Sequence, residues 1–175
     1  MIKTLVMTAA LLAAAATDVR AQSPPASANV SVAGKSISVR YSAPSVRGRK
    51  IFGDGGLLSR DPTYPAWRAG ANSATTFHTD ADLDLGGLHV PKGTYTLYVW
   101  VQDPAAWQLI VSKQTGQWGL SYAPSQDVGR VKMTMTKPPA LVETLNYALT
   151  DQGSNKVELK LAWEQHVATV PIMVK

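Results

Sequence analysis

The sequence predicts an all-β domain, an antiparallel β-sandwich of about nine strands. Apolar and polar residues alternate with a period of two along most of the chain, which is typical of half-buried strands. Turn-forming pairs such as Asp103-Pro104 and Pro138-Pro139 separate these stretches at roughly ten-residue intervals, and no comparable helical periodicity follows residue 28. A barrel would show the same pattern, but we favour two packed sheets, and no internal repeat indicates a propeller or solenoid.

Seven stretches carry the alternation. The first places Ile37, Val39 and Tyr41 on one face, and the second does the same for alternate residues between 95 and 101. The remaining five span residues 107–111, 131–135, 145–149, 157–163 and 170–174. Because Trp107 and Trp163 fall in register with Leu and Val, we expect both indole rings to fill the core.

The first 21 residues have the pattern of a secretory signal peptide. Lys3 supplies a positive charge, an apolar run covers residues 4–16, and Val19-Arg20-Ala21 has the small-x-small form of a cleavage site. We therefore expect cleavage after Ala21 and a periplasmic or extracellular protein. Since a membrane-spanning helix needs about 20 apolar residues, this apolar run is too short to serve as one, and we expect no membrane anchor. Residues 22–28 predict a short flexible leader, and residues 29–175 predict a single domain.

Composition argues against nucleic-acid binding and excludes disulfides and a cysteine-linked lipid anchor. The 175-residue chain has 17 basic and 12 acidic residues, a net charge of +5, and no cysteine. The charges are scattered and never form a block of five or more Lys or Arg, so we expect no nucleic-acid partner. Without cysteine, neither a disulfide nor a cysteine-linked lipid is possible, and the core must be stable by itself.

Residues 47–76 are the strongest functional candidate. The segment is long and interrupted by Gly and Pro, yet it joins two strand-like regions, so we expect one long ordered loop. Its arginines can bind a carboxylate, phosphate or sulfate in bidentate fashion. The alternative is that they pair with Asp54, Asp61 or Asp127 and brace the loop. The candidate ligand-binding residues of this segment are Arg47, Arg49, Trp67, Arg68, Asn72 and Thr75.

Tyr98 and Trp100 extend the candidate site. They lie on the opposite face of their strand from Leu97 and Val99, beside threonines, so this face can serve as a ligand platform. The alternative, which we favour, is that residues 47–76 fold across this face and cover it, because their large apolar side chains need a surface to pack against.

Signals for catalysis or metal binding are weak. The three histidines lie on or beside different strands, without a nucleophile motif or zinc-ligand spacing, at His78, His89 and His166. Three alternating carboxylates predict a solvated strand edge more than a calcium loop, at Asp80, Asp82 and Asp84. We expect Asp127 and Arg130 to form an ion pair at a strand edge. We assign no catalytic residue, no metal site and no cofactor.

Five motifs occur in order: R-G-R-x-I-F-G, W-R-x-G-A-N-x-A-T, P-x-G-T-Y-x-L, Q-W-G and D-V-x-R-V. Through them the chain resembles a secreted bacterial family known as domain of unknown function 2911, over residues 36–174. The resemblance implies an exported all-β domain and no particular reaction. Members of that family typically have Glu where this chain has Ser73, which counts against acid–base chemistry at this motif.

Two functions stay open at this point. The first is an exported non-catalytic protein that recognises a small anionic or sugar-like ligand, or an envelope partner, through the Arg/Trp/Asn loop. The second is a hydrolase or isomerase acting on an envelope polymer or glycan. In that case Arg47, Arg49, Arg68 and Asn72 would polarise a substrate oxygen and a histidine would move protons.

Overall fold

The computed structural model describes residues 22–175, so the predicted signal peptide and its cleavage site lie outside the described residues. In chain order the strands are β1 (Pro25–Val32), β2 (Lys35–Ser42), β3 (Ala66–Trp67), β4 (Thr75–Thr79), β5 (Leu83–Leu85), β6 (Leu88–Val90), β7 (Gly93–Trp100), β8 (Gln108–Ser112), β9 (Asp127–Lys132), β10 (Thr134–Thr136), β11 (Val142–Gly153), β12 (Lys156–Glu164) and β13 (His166–Val174). Short 3-10 turns lie at Leu58–Arg60 and Pro124–Gln126. No helix within residues 22–175 has the length and apolar character to cross a membrane.

The strands form two antiparallel sheets. The first sheet has the order β1-β2-β4-β7-β8-β9, with β3 also paired to β7. The second sheet has the order β11-β12-β13-β5-β6, with β10 also paired to β13. The predicted antiparallel sandwich is therefore confirmed, with thirteen strands in residues 22–175 instead of about nine.

The core lies between the two sheets. Alternate residues of each sheet are fully buried, as the period-two pattern predicted, for example Val39 and Leu97 in the first sheet and Leu159 and Val170 in the second. Trp107 and Trp163 are also buried, which confirms their predicted place in the core.

Residues 47–76 are not one continuous loop. They contain a 3-10 turn and β3, and they lead directly into β4. Their large apolar side chains enter the main core, where the Phe52 ring centroid lies 4.7 Å from that of Trp107 and 5.7 Å from that of Trp163. The interpretation that this segment covers Tyr98 and Trp100 was therefore wrong for most of its length, because the core between the sheets offers it a larger apolar surface.

The predicted flexible leader is also incorrect for Pro25–Ala28. These residues belong to β1, which pairs with β2 along its whole length, from Pro25 opposite Ser42 to Val32 opposite Lys35. Main-chain hydrogen bonds do not depend on side-chain type, and a proline is tolerated as the first residue of an edge strand. Composition alone could not reveal this pairing.

Candidate functional site

The outer face of the first sheet, which points away from the core, carries the candidate site. Tyr98 of β7 is fully buried there, in a second small apolar cluster with Ala66 and Ile110. Trp100 and Tyr122 pack at its border and are partly buried. A buried cluster on an outer face requires a cover, and the cover determines what the face presents to solvent.

The cover is the segment 113–126, which joins β8 to β9; we call it the covering segment. Gln117 donates from Nε2 to Tyr98 Oη (3.1 Å) and to Thr96 Oγ1 (3.3 Å). The Tyr98 hydroxyl in turn donates to the Ser121 carbonyl at 3.2 Å. Burial raises the pKa of Tyr98, the charge of Asp127 adds to that shift, and the Gln117 hydrogen bond and the Arg68 charge oppose it. Tyr98 is therefore a buried attachment point and has no exposed ring for a ligand.

The covering segment is fastened to residues 72–74 by main-chain contacts. Gly119 N–H donates to the Asn72 carbonyl at 3.1 Å, Ala74 N–H donates to the Gln117 carbonyl at 3.3 Å, and Ser73 forms an antiparallel bridge with Trp118. Asn72 has a left-handed φ of +58°, a conformation that asparagine tolerates well. The Asn72 main chain thus positions this contact between residues 72–74 and 117–119, which we call the junction.

Trp118 is held in the middle of this junction, and its side chain is 56% exposed. The residues on both sides of it are hydrogen-bonded to the 72–74 segment, so the main chain cannot easily turn the indole inward. Large aromatic side chains usually bury their surface, so an exposed tryptophan on a fixed main chain is characteristic of a contact surface.

A depression of about 210 Å³ lies next to this junction. Its lining combines Arg40 of β2 with hydroxyl side chains of Ser73 and Thr76, and it includes Tyr41, Ser42 and Ala74. Arg40 and Ser73 are exposed. The depression is smaller than the pockets that enclose drug-sized ligands, about 300–1,000 Å³, and suits a single small ring or anion.

Arg68 braces the loop from below the covering segment. Its guanidinium pairs with Asp61, with 3.3 Å between Nη1 and Oδ2, and both side chains are mostly buried. Burial raises the pKa of Asp61, and the Arg68 charge opposes that shift. A Cβ on Gly119 would overlap Arg68 Cδ, so only glycine fits above this arginine. The bracing alternative is the one that the Arg68 contacts support.

Arg47 and Arg49 have different partners from Arg68. Arg49 donates to the carbonyls of Val46 (2.9 Å) and Ser45 (2.6 Å), and the Arg47 main-chain N–H donates to Glu143 Oε1 at 2.8 Å. The Arg47 main-chain bond attaches the start of the loop to β11, whereas the Arg49 side chain makes only local contacts, and neither involves Asp61 or Gly119. The three arginines therefore share no partner, and the predicted fork-shaped anion site is not supported.

Trp67 and Thr75 lie in the core and are not available to a ligand. Trp67 is 2% exposed, stacks on Trp163 with 5.5 Å between ring centroids, and donates to the Gly70 carbonyl at 3.2 Å. Thr75 is fully buried and donates to the Ala69 carbonyl at 3.1 Å. We correct their assignment from ligand contacts to structural residues, because side chains packed this closely have no access to solvent.

Trp100 takes part in a network at the other end of the outer face. The Arg130 guanidinium lies 4.7 Å from the Trp100 ring centroid, a cation–π distance, and Arg130 pairs with Asp127 at 3.4 Å. Tyr122 donates to Asp127 at 2.7 Å and accepts from Arg130 at 2.8 Å. The predicted ion pair of Asp127 and Arg130 is confirmed, and the network anchors the end of the covering segment.

The histidines do not converge, and residues 22–175 hold no cluster of three or more metal-ligating side chains. His78 uses both ring nitrogens, one with Thr94 Oγ1 (2.9 Å) and one with Asp80 Oδ1 (3.0 Å). His89 lies in the second sheet and His166 packs beside Glu164. Each of the three alternating carboxylates accepts a main-chain N–H: Asp80 from Ser36, Asp82 from Lys92 and Asp84 from Gly87.

The family described as "Protein of unknown function (DUF2911)" matches residues 23–172. The chain belongs to this family. The DUF2911 match begins earlier than the expected residue 36 and takes in all of β1 and β2. No curated protein and no solved structure matches the chain.

Two DUF2911 motifs meet in the junction described above. The W-R-x-G-A-N-x-A-T motif contains residues 72–74. The Q-W-G motif forms residues 117–119 of the covering segment, with Trp118 in the middle. Sequence reasoning named the Q-W-G motif but did not identify Trp118, Gln117 or Arg40 as site residues. The available signal was a tryptophan between two glycines outside any alternating stretch, where a core position is not expected.

Proposed function

We propose that the protein is exported and binds a sugar ring that carries an anionic group, without catalysing a reaction. The proposed binding surface consists of Arg40, Ser73, Thr76 and Trp118, and we call it the Trp118 site. The signal-peptide pattern of residues 1–21 supports export. The ligand class combines the two alternatives left open by the sequence, sugar-like and anionic.

The exposure of Trp118 carries the proposal. Its side chain is 56% exposed while the main chain on both sides is hydrogen-bonded to residues 72–74. The apolar face of a sugar ring can stack on a flat indole, and because the main chain is already held, only the two side-chain torsions of Trp118 need to be ordered on binding. Single exposed apolar side chains are common on protein surfaces, so it is the combination of exposure, a held main chain and an adjoining polar depression that supports a contact here.

The neighbouring depression supplies the polar half of the contact. Ser73 and Thr76 offer hydroxyl groups that donate and accept, and Arg40 offers a guanidinium that can bind a carboxylate with two parallel hydrogen bonds. A sugar ring with one anionic group can pair its hydroxyls with Ser73 and Thr76 and its anionic group with Arg40. Arg40 therefore favours an acidic sugar over a neutral one.

The experiment is a calorimetric titration of the purified protein with glucuronate and with glucose, two rings that differ by a carboxylate. We expect glucuronate to bind more tightly. Trp118→Ala and Arg40→Gln should each weaken binding roughly threefold to tenfold, the loss expected for one stacking or charged contact. Ser73→Glu should remove the preference for glucuronate, because the new carboxylate lies beside Arg40.

Matched controls use residues outside the Trp118 site. Leu141 is 50% exposed, so Leu141→Ala removes exposed apolar surface elsewhere, and Arg60→Gln removes an exposed arginine elsewhere. Both controls should bind as the unchanged protein does. Binding that survives both Trp118→Ala and Arg40→Gln, or equal loss in the controls, would contradict the proposal.

A further inference from the structure

A second surface, unconnected with the Trp118 site, lies around His166. A groove of about 670 Å³ runs between the loop after β7, strand β10 and the turn before β13; we call it the His166 groove. Its apolar lining includes Pro104, Ala105 and Met135, and its polar groups include Lys137 and His166. The volume falls in the range typical of small-molecule sites.

The imidazole of His166 is held by aromatic packing. It stacks on Trp107 with 5.0 Å between ring centroids and 16° between planes. Phe52 contacts it edge-on at 4.8 Å. Since Trp107 and Phe52 belong to the core, the position of the imidazole at the groove is fixed by the fold.

Glu164 lies beside the Nδ1 atom of the His166 ring. Its Oε1 accepts the Ile51 main-chain N–H at 2.9 Å, and its Oε2 lies 3.3 Å from His166 Nδ1. That second contact is close enough for an ion pair, but its angle is not that of a hydrogen bond. Glu164 also has a left-handed φ of +56°, as the first of the two residues in the tight turn between β12 and β13, where such turns require a positive φ.

The charged groups that face His166 are Glu164 and Lys137. Burial lowers the pKa of His166 and the Lys137 charge lowers it further, while Glu164 raises it. The neutral form of the ring is therefore favoured, and the Lys137 ammonium lies at the exposed side of the groove. A negative group placed between the Lys137 ammonium and the ring would favour protonation of His166.

We infer that the His166 groove binds a small carboxylic acid with an apolar tail, whose carboxylate contacts Lys137 and His166 and whose tail packs on Pro104, Ala105 and Met135. Charge complementarity selects this occupant. A neutral apolar ligand would leave the ammonium and imidazole without a partner, and a cation would be repelled by Lys137. The protonated ring would then bridge the carboxylate of the ligand and that of Glu164.

Hexanoate is the probe, and hexanol is its matched neutral control. We expect saturable binding of hexanoate by calorimetry and clearly weaker binding of hexanol. Nuclear magnetic resonance of the histidine ring protons should show that hexanoate raises the pKa of His166, while the ring-proton signals of exposed His89 should not respond to hexanoate. A ring that serves only to pack the core would show no such change.

Variants separate this site from its alternatives. Lys137→Gln should weaken hexanoate binding roughly fivefold to tenfold, whereas Lys92→Gln, which removes an exposed lysine elsewhere, should have no effect. Trp118→Ala should also leave hexanoate binding unchanged, so the two sites can fail independently. Lys137 is exposed, and its loss should not affect folding. Equal affinity for hexanol, an unchanged His166 pKa, or full binding by Lys137→Gln would each overturn the inference.

Discussion

Gly119→Ala tests whether the covering segment is packed as tightly as its contacts indicate. A Cβ at this position would overlap Arg68 Cδ and lie 2.7 Å from the Asn72 carbonyl oxygen. Neither neighbour can move freely. Arg68 is paired with Asp61, and the Asn72 carbonyl already accepts the Gly119 N–H at 3.1 Å. Accommodating the methyl group therefore requires the loss of an ion pair or of the junction itself.

The expected cost follows from these two contacts. Forcing an extra methyl group into a close-packed site typically costs about 1–3 kcal/mol, and loss of a partly buried ion pair adds up to about 1 kcal/mol. We therefore expect Gly119→Ala to lower the free energy of unfolding by roughly 1–4 kcal/mol. For a domain of this size that corresponds to a fall in melting temperature of roughly 2–16 °C.

The assay is denaturant unfolding, with Gly129→Ala as the matched control. A Cβ on Gly129 would meet only the end of the Leu88 side chain, at 2.5 Å, and that side chain can rotate away. The control should cost less than about 1 kcal/mol. In an Arg68→Ala background, Gly119→Ala should cost less than it does alone, because one of the two clashes is gone. A cost below about 0.5 kcal/mol for Gly119→Ala alone would refute the tight packing, and with it the fixed presentation of Trp118.

Three further substitutions test other parts of the structure. Trp67→Ala should destabilise the fold by about 3–5 kcal/mol in denaturant unfolding, since it empties a core position; near-wild-type stability would contradict the core assignment. The pKa of Tyr122 is raised from 10.0 to about 12, so its contribution to stability is complete below pH 10 and is lost as the pH rises towards 12. Tyr122→Phe should therefore reduce the loss of melting temperature over that alkaline range. The pKa of His166 is lowered from 6.5, so unfolded chains bind a proton more readily and stability falls as the pH drops below 6.5. His166→Gln should reduce that acid loss, and an unchanged pH profile would contradict the burial of a neutral ring.

The alternating stretches were predictable because their buried residues are apolar. Strand β4 was missed for the opposite reason. Its inward side chains are Thr75, Phe77 and Thr79, so only one of three is hydrophobic. The two threonines are tolerated inside because they donate to the carbonyls of Ala69 and Ala81. No pattern of hydrophobicity contains that information, since the acceptors come from turns whose positions depend on the fold.

The sequence singled out residues 47–76 as ligand-binding candidates, but Trp67, Thr75 and Arg68 of this segment have structural contacts instead. Tryptophan and arginine serve equally well in a core or in a binding site, and only burial distinguishes the two uses. Trp67 became a core residue because β3 pairs with β7 and directs its ring between the sheets. Arg68, one residue later, faces the other way and meets Asp61 and the covering segment. This alternation follows from strand geometry, yet a two-residue strand leaves no periodic signal in the sequence.

The Trp118 site could not be inferred from the sequence because its halves are distant along the chain. Residues 72–74 and 117–119 meet through main-chain contacts, whose partners no side-chain pattern specifies, although the close approach requires glycine at position 119. What the side chains decide is the character of the surface. Ser73 leaves Arg40 without a carboxylate in the depression, whereas a glutamate at position 73 would place one there. The charge of this surface therefore depends strongly on position 73, and the anion preference proposed for it rests on serine at that position together with the exposed arginine of β2.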